Sequence, residues 1–353
     1  MIETKDLGNI PISLPGRGVL PLKGVTILAG DIGGTKTNLA YYRATRTEMI
    51  LLKEERLSSG DYGSCIEMLE SFLKGEDHPP ADRISLGVAG PVLQGKAELT
   101  NLSWELDSDE ITKKAKVERV TLINDLEAIA WGLAGLKRSD MVTLRAGNPL
   151  IKGNMAIIAP GTGLGQAGLF WDGKLYHPFP TEGGHCDFSP RTELDIALFH
   201  FLQKEYGIVS WEKLVSGPAI YDIYRFLLEY RTGLEEPSWL REALQNNDPS
   251  AIISDMGEEG KDERCVETMD HFVRYLARES SNLVLKMKAT GGLFLGGGIP
   301  PKIISLLQKE SFYKHFMDCD RMQHLLEEVP IHIIKNDKAG LIGAAYYGAY
   351  AEE

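Results

Sequence analysis

No apolar run in these 353 residues approaches the ~18 positions that a membrane-crossing helix needs. The opening stretch, MIETKDLGNIPISLPGRG, has no apolar h-region, which argues against a secretory signal and for a cytoplasmic protein. Cysteine is scarce. Cys65, Cys186, Cys265 and Cys319 stand far apart with no Cys-x-x-Cys, a spacing that argues against a zinc site or a disulfide framework and reads as free thiols. Positive charge is short as well: 38 Lys and Arg face 50 Asp and Glu, for a net charge of −12. Such a chain repels phosphate backbones, so neither nucleic acid nor a membrane surface is an expected partner. Small anionic substrates remain open where backbone N–H groups or metal ions offset the charge. At 25% charged and 43% hydrophobic the composition is that of an ordinary globular chain, long enough for two domains of ~100–200 residues each.

Three familiar nucleotide signatures are missing too. A P-loop requires Gly before Lys36-Thr37, where the chain has Thr35. The dinucleotide pattern fails at Gly161-Thr162-Gly163 because Gln166 occupies its last place. There is no His-Arg-Asp or Asp-Phe-Gly triplet of the protein kinases.

What is abundant is glycine, 37 residues against a usual ~7% of a chain, and it is clustered. The clusters are Gly30-Asp31-Ile32-Gly33-Gly34-Thr35, Gly161-Thr162-Gly163-Leu164-Gly165, Gly183-Gly184, and Gly291-Gly292 with Gly296-Gly297-Gly298. All but the third follow short apolar runs, which read as strands entering tight turns. Such turns either close plain hairpins or bring peptide N–H groups close to an oxyanion. The first two clusters each read strand, Gly-rich turn, strand, one copy in each half of the chain. That weak internal repeat suggests a nucleotide held between two related domains. The second copy runs on into Trp171-Asp172-Gly173-Lys174, a type I′ hairpin signal.

Elsewhere the pattern predicts an extended arm or tail over residues 1–24, strands at 49–57, 83–89, 121–123 and 331–334, and helices at 62–73 and 126–136. Further helices are expected near 193–207, 217–230, 239–246 and 263–290. The last helix, around 340–348, repeats small residues at Gly340, Ala344 and Gly348, a face suited to close packing against the first domain.

Few polar groups stand where chemistry would need them. Asn124-Asp125 lies between an apolar strand and an apolar helix, so the carboxylate is either an N-cap or a reactive group. As a reactive group, Asp125 would accept the proton of an attacking alcohol, the single base that phosphoryl transfer needs beside positioning and charge neutralisation. Glu182-Gly183-Gly184-His185 sets a carboxylate and an imidazole three apart. A metal would also want Cys186 and Asp187, but alternation points Cys186 away. A hydroxyl-rich ligand fits better, with Glu182 accepting and His185 donating or accepting. Glu212, in Ser210-Trp211-Glu212-Lys213, reads on its own as a capping-turn acid. Asp31 is the odd residue in its glycine turn. An acid in a phosphate cradle is repulsive unless Mg²⁺ lies between, which makes Asp31 a candidate metal ligand through water.

Taken in order, these motifs resemble the bacterial glucokinases of the sugar kinase/actin superfamily. The likeness runs through Leu28 to Thr37, Leu99-Thr100-Asn101-Leu102-Ser103-Trp104, Ile123-Asn124-Asp125, Ala159 to Gly165, and Glu182 to Phe188. It closes with Glu212 to Pro218, Gly296-Gly297-Gly298-Ile299 and Asn336 to Leu341. It covers about residues 26–350. The resemblance implies an α/β fold of two ribonuclease-H-like domains of the actin-like ATPase/sugar kinase type around a central cleft. The division would be an arm at 1–25, a small domain of 26–135 plus 336–353, and a large domain of 136–335. It implies ATP-dependent phosphorylation of D-glucose at the 6-hydroxyl with Asp125 as base, and Asn101, Asn124, Glu182, His185 and Glu212 around the sugar. Asp31, Gly33, Gly34, Thr35 and Lys36 would meet the ATP phosphates from one side and Gly161, Thr162 and Gly163 from the other. Gly297 and Gly298 would approach adenosine, and Asp31 would assist Mg²⁺. A homodimer, and closure on glucose that excludes water, are implied too.

The zinc-binding group of repressors and kinases carries several cysteines after its Glu-x-Gly-His; here Cys186 stands alone, which favours the non-zinc branch. Two rivals bear weighing. A kinase for another hexose or an N-acetylated amino sugar would share the fold, although Glu182 and Glu212 as acceptors favour an unmodified sugar. A sugar-sensing transcription regulator would need a helix-turn-helix, and the first 25 residues are too short, Pro-rich and not basic.

Overall fold

Strand β1 (Val25–Ile32) alternates Leu28 and Ile32 onto one face and Ile27 and Ala29 onto the other, and all four are buried. A strand buried on both sides belongs inside a covered sheet. It pairs antiparallel with β2 (Lys36–Ala44), which pairs antiparallel with β3 (Met49–Ser58). Helix α1 (Cys65–Leu73), capped by Ser64 accepting the Glu67 N–H at 3.1 Å, leads to β4 (Arg83–Val88). A small hairpin, β5 (Lys96–Leu99) and β6 (Trp104–Asp107), precedes α2 (Ser108–Ala115), β7 (Arg119–Asn124) and α3 (Asp125–Gly132). The sheet order is β3-β2-β1-β4-β7. Strands β1, β4 and β7 run parallel, with Ile32 opposite Val88 and Val88 opposite Asn124.

The second half repeats this plan. Strands β8 (Met141–Arg145), β9 (Met155–Pro160), β10 (Leu164–Trp171) and β11 (Tyr176–Thr181) come first. The helices α4 (Glu193–Tyr206), α5 (Gly217–Tyr230), α6 (Ser238–Asn246), α7 (Pro249–Glu258) and α8 (Glu263–Met287) follow. Then come β12 (Gly292–Leu295), the short α9 (Ile304–Leu307), α10 (Glu310–Phe316) and α11 (Gln323–Glu327), β13 (Ile331–Ile334), and the closing helix α12 (Ala339–Tyr350). The order β11-β10-β9-β12-β13 matches that of the first sheet, strand for strand, and β8 adds an edge. Helix α8 buries Phe272, Tyr275, Leu276 and Leu283 in a core with Leu293 and Leu295 of β12.

This computed structural model describes residues 10–74, 80–99, 102–231 and 235–351. The chain divides into two compact units: Met1–Asp140 with Gly168–Pro180 and Asn336–Glu353, and Met141–Ala167 with Thr181–Lys335. No helix among the described residues is long and apolar enough to cross a membrane. Residues 10–24, expected as an extended arm or tail, are fastened to the first unit. Ile10, Ile12 and Leu20 are buried, Ser13 N donates to Tyr176 O at 2.9 Å, and Arg17 Nε donates to Arg46 O at 2.8 Å. The type I′ expectation at 171–174 is not met either. The turn closes from Asp172 to Leu175 with Gly173 alone at positive φ, while the Asp172 carboxylate accepts the N–H groups of Lys174 and Leu175.

Candidate active site

In the first unit, the glycine turn between β1 and β2 is held from below. Gly33 N donates to Lys36 O at 3.1 Å, so the tight turn is already closed at that residue. Ser59 Oγ donates to Gly33 O at 2.8 Å and lies 3.0 Å from Thr37 Oγ1. This buried serine was not singled out from sequence, because it stands in an ordinary Ser-Ser-Gly turn. Thr35 and Lys36 are exposed. Asp31, at the end of β1, is half-buried, with Asn38 Nδ2 at 3.5 Å. Burial pushes its carboxyl above the ordinary value, Asn38 only partly opposes this, and Asp337 adds to it. A desolvated carboxylate beside a phosphate-type turn, with an amide as neighbour, is a donor set that fits a hydrated Mg²⁺. Among the described residues no three His, Cys, Asp or Glu side chains form a cage for a metal.

Two strands away, Asn124 ends β7 and caps α3: its Oδ1 accepts from Leu126 N at 2.9 Å and Glu127 N at 3.3 Å, and its Nδ2 donates to Gly90 O at 3.1 Å. The cap is therefore Asn124. Asp125 is the first helical residue, half-buried, with Oδ1 accepting from Leu126 N at 3.0 Å. The register places Asp125 and the Gly33–Lys36 turn at the same carboxyl edge of the sheet, where α/β folds hold their ligands.

In the second unit, Gly161-Thr162-Gly163 follows β9 and Gly296-Gly297-Gly298 follows β12, its parallel neighbour. Gly296 N donates to Ile158 O at 2.9 Å, and Gly161 O accepts from Gly217 N at 2.7 Å. Gly297 has φ +78°, and a side-chain carbon there would stand 2.6 Å from Pro160 O, so only glycine fits. A cavity of about 540 Å³ opens here, lined by Thr162, Gly298, Tyr221 and Lys302 and by the first residues of α5 and α7. The N-terminus of α5 and Lys302 make this wall favourable to an anion, while the Asp248 carboxylate offsets the N-terminus of α7. The α7 wall was missed from sequence, although Asp248-Pro249 is a helix-start signal: Asp248 Oδ1 accepts from Ser250 N at 3.0 Å.

Beside these turns lie the remaining candidates. Glu182 and His185 flank a single 3-10 turn, Gly183–His185, with His185 Nε2 4.0 Å from Glu182 Oε2 and both side chains exposed. Residues 186–188 pair with 209–211: Trp211 N donates to Cys186 O and Phe188 N to Val209 O, each at 2.9 Å. That pairing brings the Glu182 turn to the Glu212 turn. Glu212 Oε2 accepts from Leu164 N at 3.0 Å, and Gly184 closes against Leu164 O from the other direction. So Glu182, His185 and Glu212 gather around the start of β10, and Glu212 is more than a capping-turn acid. Asn101 lies outside the described residues.

A sequence model of the glucokinase family matches residues 28–351 of this chain. The chain belongs to the glucokinase family. A glucokinase of Trichormus variabilis is 39% identical over 337 residues, covering 92% of this chain and 98% of the relative. Among solved structures, a glucokinase from an Antarctic psychrotroph superposes with a TM-score of 0.77 at 31% identity, covering 92% of this chain and 98% of that one. The Balamuthia mandrillaris glucokinase in complex with glucose shares the fold, with a TM-score of 0.75 at 20% identity over 92% and 94% of the two chains. As in other glucokinases, the fold is that of the actin-like ATPases and sugar kinases, and the duplicated strand order is its signature here.

Proposed function

We propose that this member of the glucokinase family transfers the γ-phosphoryl group of ATP to the 6-hydroxyl of D-glucose, giving glucose 6-phosphate and ADP. One observation carries the chemistry: Asp125 stands at the carboxyl end of β7, in register through β4 with the phosphate-type turn that follows β1. Asp125 takes the 6-hydroxyl proton as that oxygen bonds to the γ-phosphorus, and the bond from phosphorus to the β,γ-bridging oxygen breaks to release ADP. Asn124 fixes the base by capping the helix that begins with it. Glu182, His185 and Glu212 hold the other hydroxyls, with Asn124 completing the sugar contacts.

Gly34, Thr35 and Lys36, with Gly33 shaping their turn, and Gly161, Thr162 and Gly163 are the phosphate contacts in this reading. Gly298, next to Gly297, borders the 540 Å³ cavity, a volume in the usual range for a small-molecule ligand, which takes adenosine. Asp31 would hold Mg²⁺ through water, and the ion would neutralise phosphate charge. The four free cysteines agree with a cytoplasmic enzyme, and a homodimer is part of the same reading.

The test is ADP release over a panel of sugars with product identification. Glucose is expected to turn over far faster than mannose, fructose or N-acetylglucosamine, with phosphate on the 6-oxygen. Equal turnover of N-acetylglucosamine would contradict the reading.

A further inference from the structure

Beneath the turn that carries Glu182 and His185 runs a buried polar chain. Gly183 lies so close to Gln166 that a side-chain carbon on it would collide with Gln166 Oε1. Gln166 is 2% exposed, its main-chain oxygen accepts from Thr181 Oγ1 at 3.1 Å, and its Nε2 donates to Glu279 Oε1 at 2.8 Å. Glu279, fully buried on α8, receives Asn282 Nδ2 on its other oxygen at 3.0 Å. Burial pushes the Glu279 carboxyl above its ordinary value, and the two amides only partly offset this. An ionisable group kept in a core is costly, and well-packed apolar residues often serve stability as well or better. What this pair supplies is orientation, since Gln166 carries one end on Glu279 and the other against Gly183.

The preceding residue of α8 does the same for the neighbouring turn. Arg278, 2% exposed, donates from Nη2 to Ser189 O at 2.8 Å, and its guanidinium lies 5.6 Å from the Phe188 ring and 5.8 Å from that of Trp211. Trp211 immediately precedes Glu212. One stretch of helix thus underlies both turns.

We propose that Glu279 and Gln166 are positioning residues for glucose: Glu279 fixes the carboxamide of Gln166, which fixes the main chain of Gly183 between Glu182 and His185. This rests on the reading that Glu182 and His185 hold sugar hydroxyls. Steady-state kinetics and calorimetric glucose titration of the full-length enzyme test it, using Gln166→Leu, Glu279→Gln and the exchanged pair Gln166→Glu with Glu279→Gln. Gln166→Leu is expected to raise KM and Kd for glucose by about 10- to 100-fold while kcat and KM for ATP stay within about 2-fold. Glu279→Gln, near-isosteric and placed to fold where Gln166→Leu does not, is expected to weaken glucose binding less. The exchanged pair, which restores one carboxylate facing one amide, is expected to recover most of the lost affinity. That recovery, and the split between the two substrates, are what a merely structural role would not give. Glu182→Gln separates the two readings. If it weakens glucose binding while folded Gln166→Leu and Glu279→Gln do not, the positioning proposal is wrong; if Glu182→Gln itself leaves glucose affinity unchanged, the sugar placement is wrong.

Discussion

Asn124 and Asp125 have similar side chains and separate duties. The amide oxygen of Asn124 occupies the cap position with two main-chain N–H groups, so the helix start does not require the carboxylate next to it. His332 shows what burial does to a group with no such task. It is 4% exposed, its Nδ1 is 3.1 Å from Thr143 Oγ1, its ring lies against Phe294, and burial pushes its pKa from 6.5 down to about 4. The folded value lies below the unfolded one, so the neutral ring's contribution is complete above pH 6.5 and is lost as pH falls toward 4. The loss is about 3 kcal/mol at pH 4. Denaturant titrations of the wild type and His332→Gln between pH 7 and 4 check this: the stability difference is expected to shrink or reverse on acidification. Parallel curves would rule it out. At this scale the sequence shows chemistry that sits beside glycine, such as Glu182, His185 and Asp31. It hides Gln166 and Glu279, which read as ordinary interior positions of a strand and a helix, because Gln166 meets Gly183 17 positions on and Glu279 meets Gln166 113 positions away.

Apolar elements were legible: the expected runs at 25–29, 121–123, 331–334 and 263–290 fall on β1, β7, β13 and α8. The elements that escaped are polar or short. Helix α2 buries only Ile111, β8 is a part-exposed edge, and the β5–β6 hairpin has four residues a side. The small-residue face of α12 was legible in kind, but its contacts differ from residue to residue. Gly348 meets Ser85 and Ile27 of the sheet, Gly340 meets Asp31, and the closest approach is at Gly343, where a side-chain carbon would collide with Ala128 O of α3. Gly132 of α3 is pressed in the same way against Ala339 O, so the two helices touch backbone to backbone. Gly343→Ala is therefore expected to destabilise the protein by about 1–3 kcal/mol. It is also expected to lower kcat more than either KM, because α3 begins with Asp125. Melting curves and kinetics check both; a variant with native melting temperature and kcat would show that the helix spacing has slack.

For the whole molecule, the sequence showed the duplication, since two glycine turns at corresponding places presaged two sheets with the same strand order. The fastening of the arm was not legible. Three prolines allow either an extended arm or a poorly ordered tail, and over residues 10–24 Ile10, Ile12 and Leu20 are buried and Tyr176 supplies backbone partners. A net charge of −12 in a protein that takes a nucleoside triphosphate also acquires a physical account: turns, a helix N-terminus and single lysines supply a local positive field that the net charge does not. The central claim is that one carboxylate, Asp125, removes the proton from the sugar hydroxyl. The most direct measurement is glucose-dependent ADP release by Asp125→Asn, which keeps the side chain's size and its capacity to accept from Leu126 N. The account expects kcat to fall on the order of 10²–10⁴-fold with KM for glucose and ATP changed far less. Turnover near that of the wild type would contradict it.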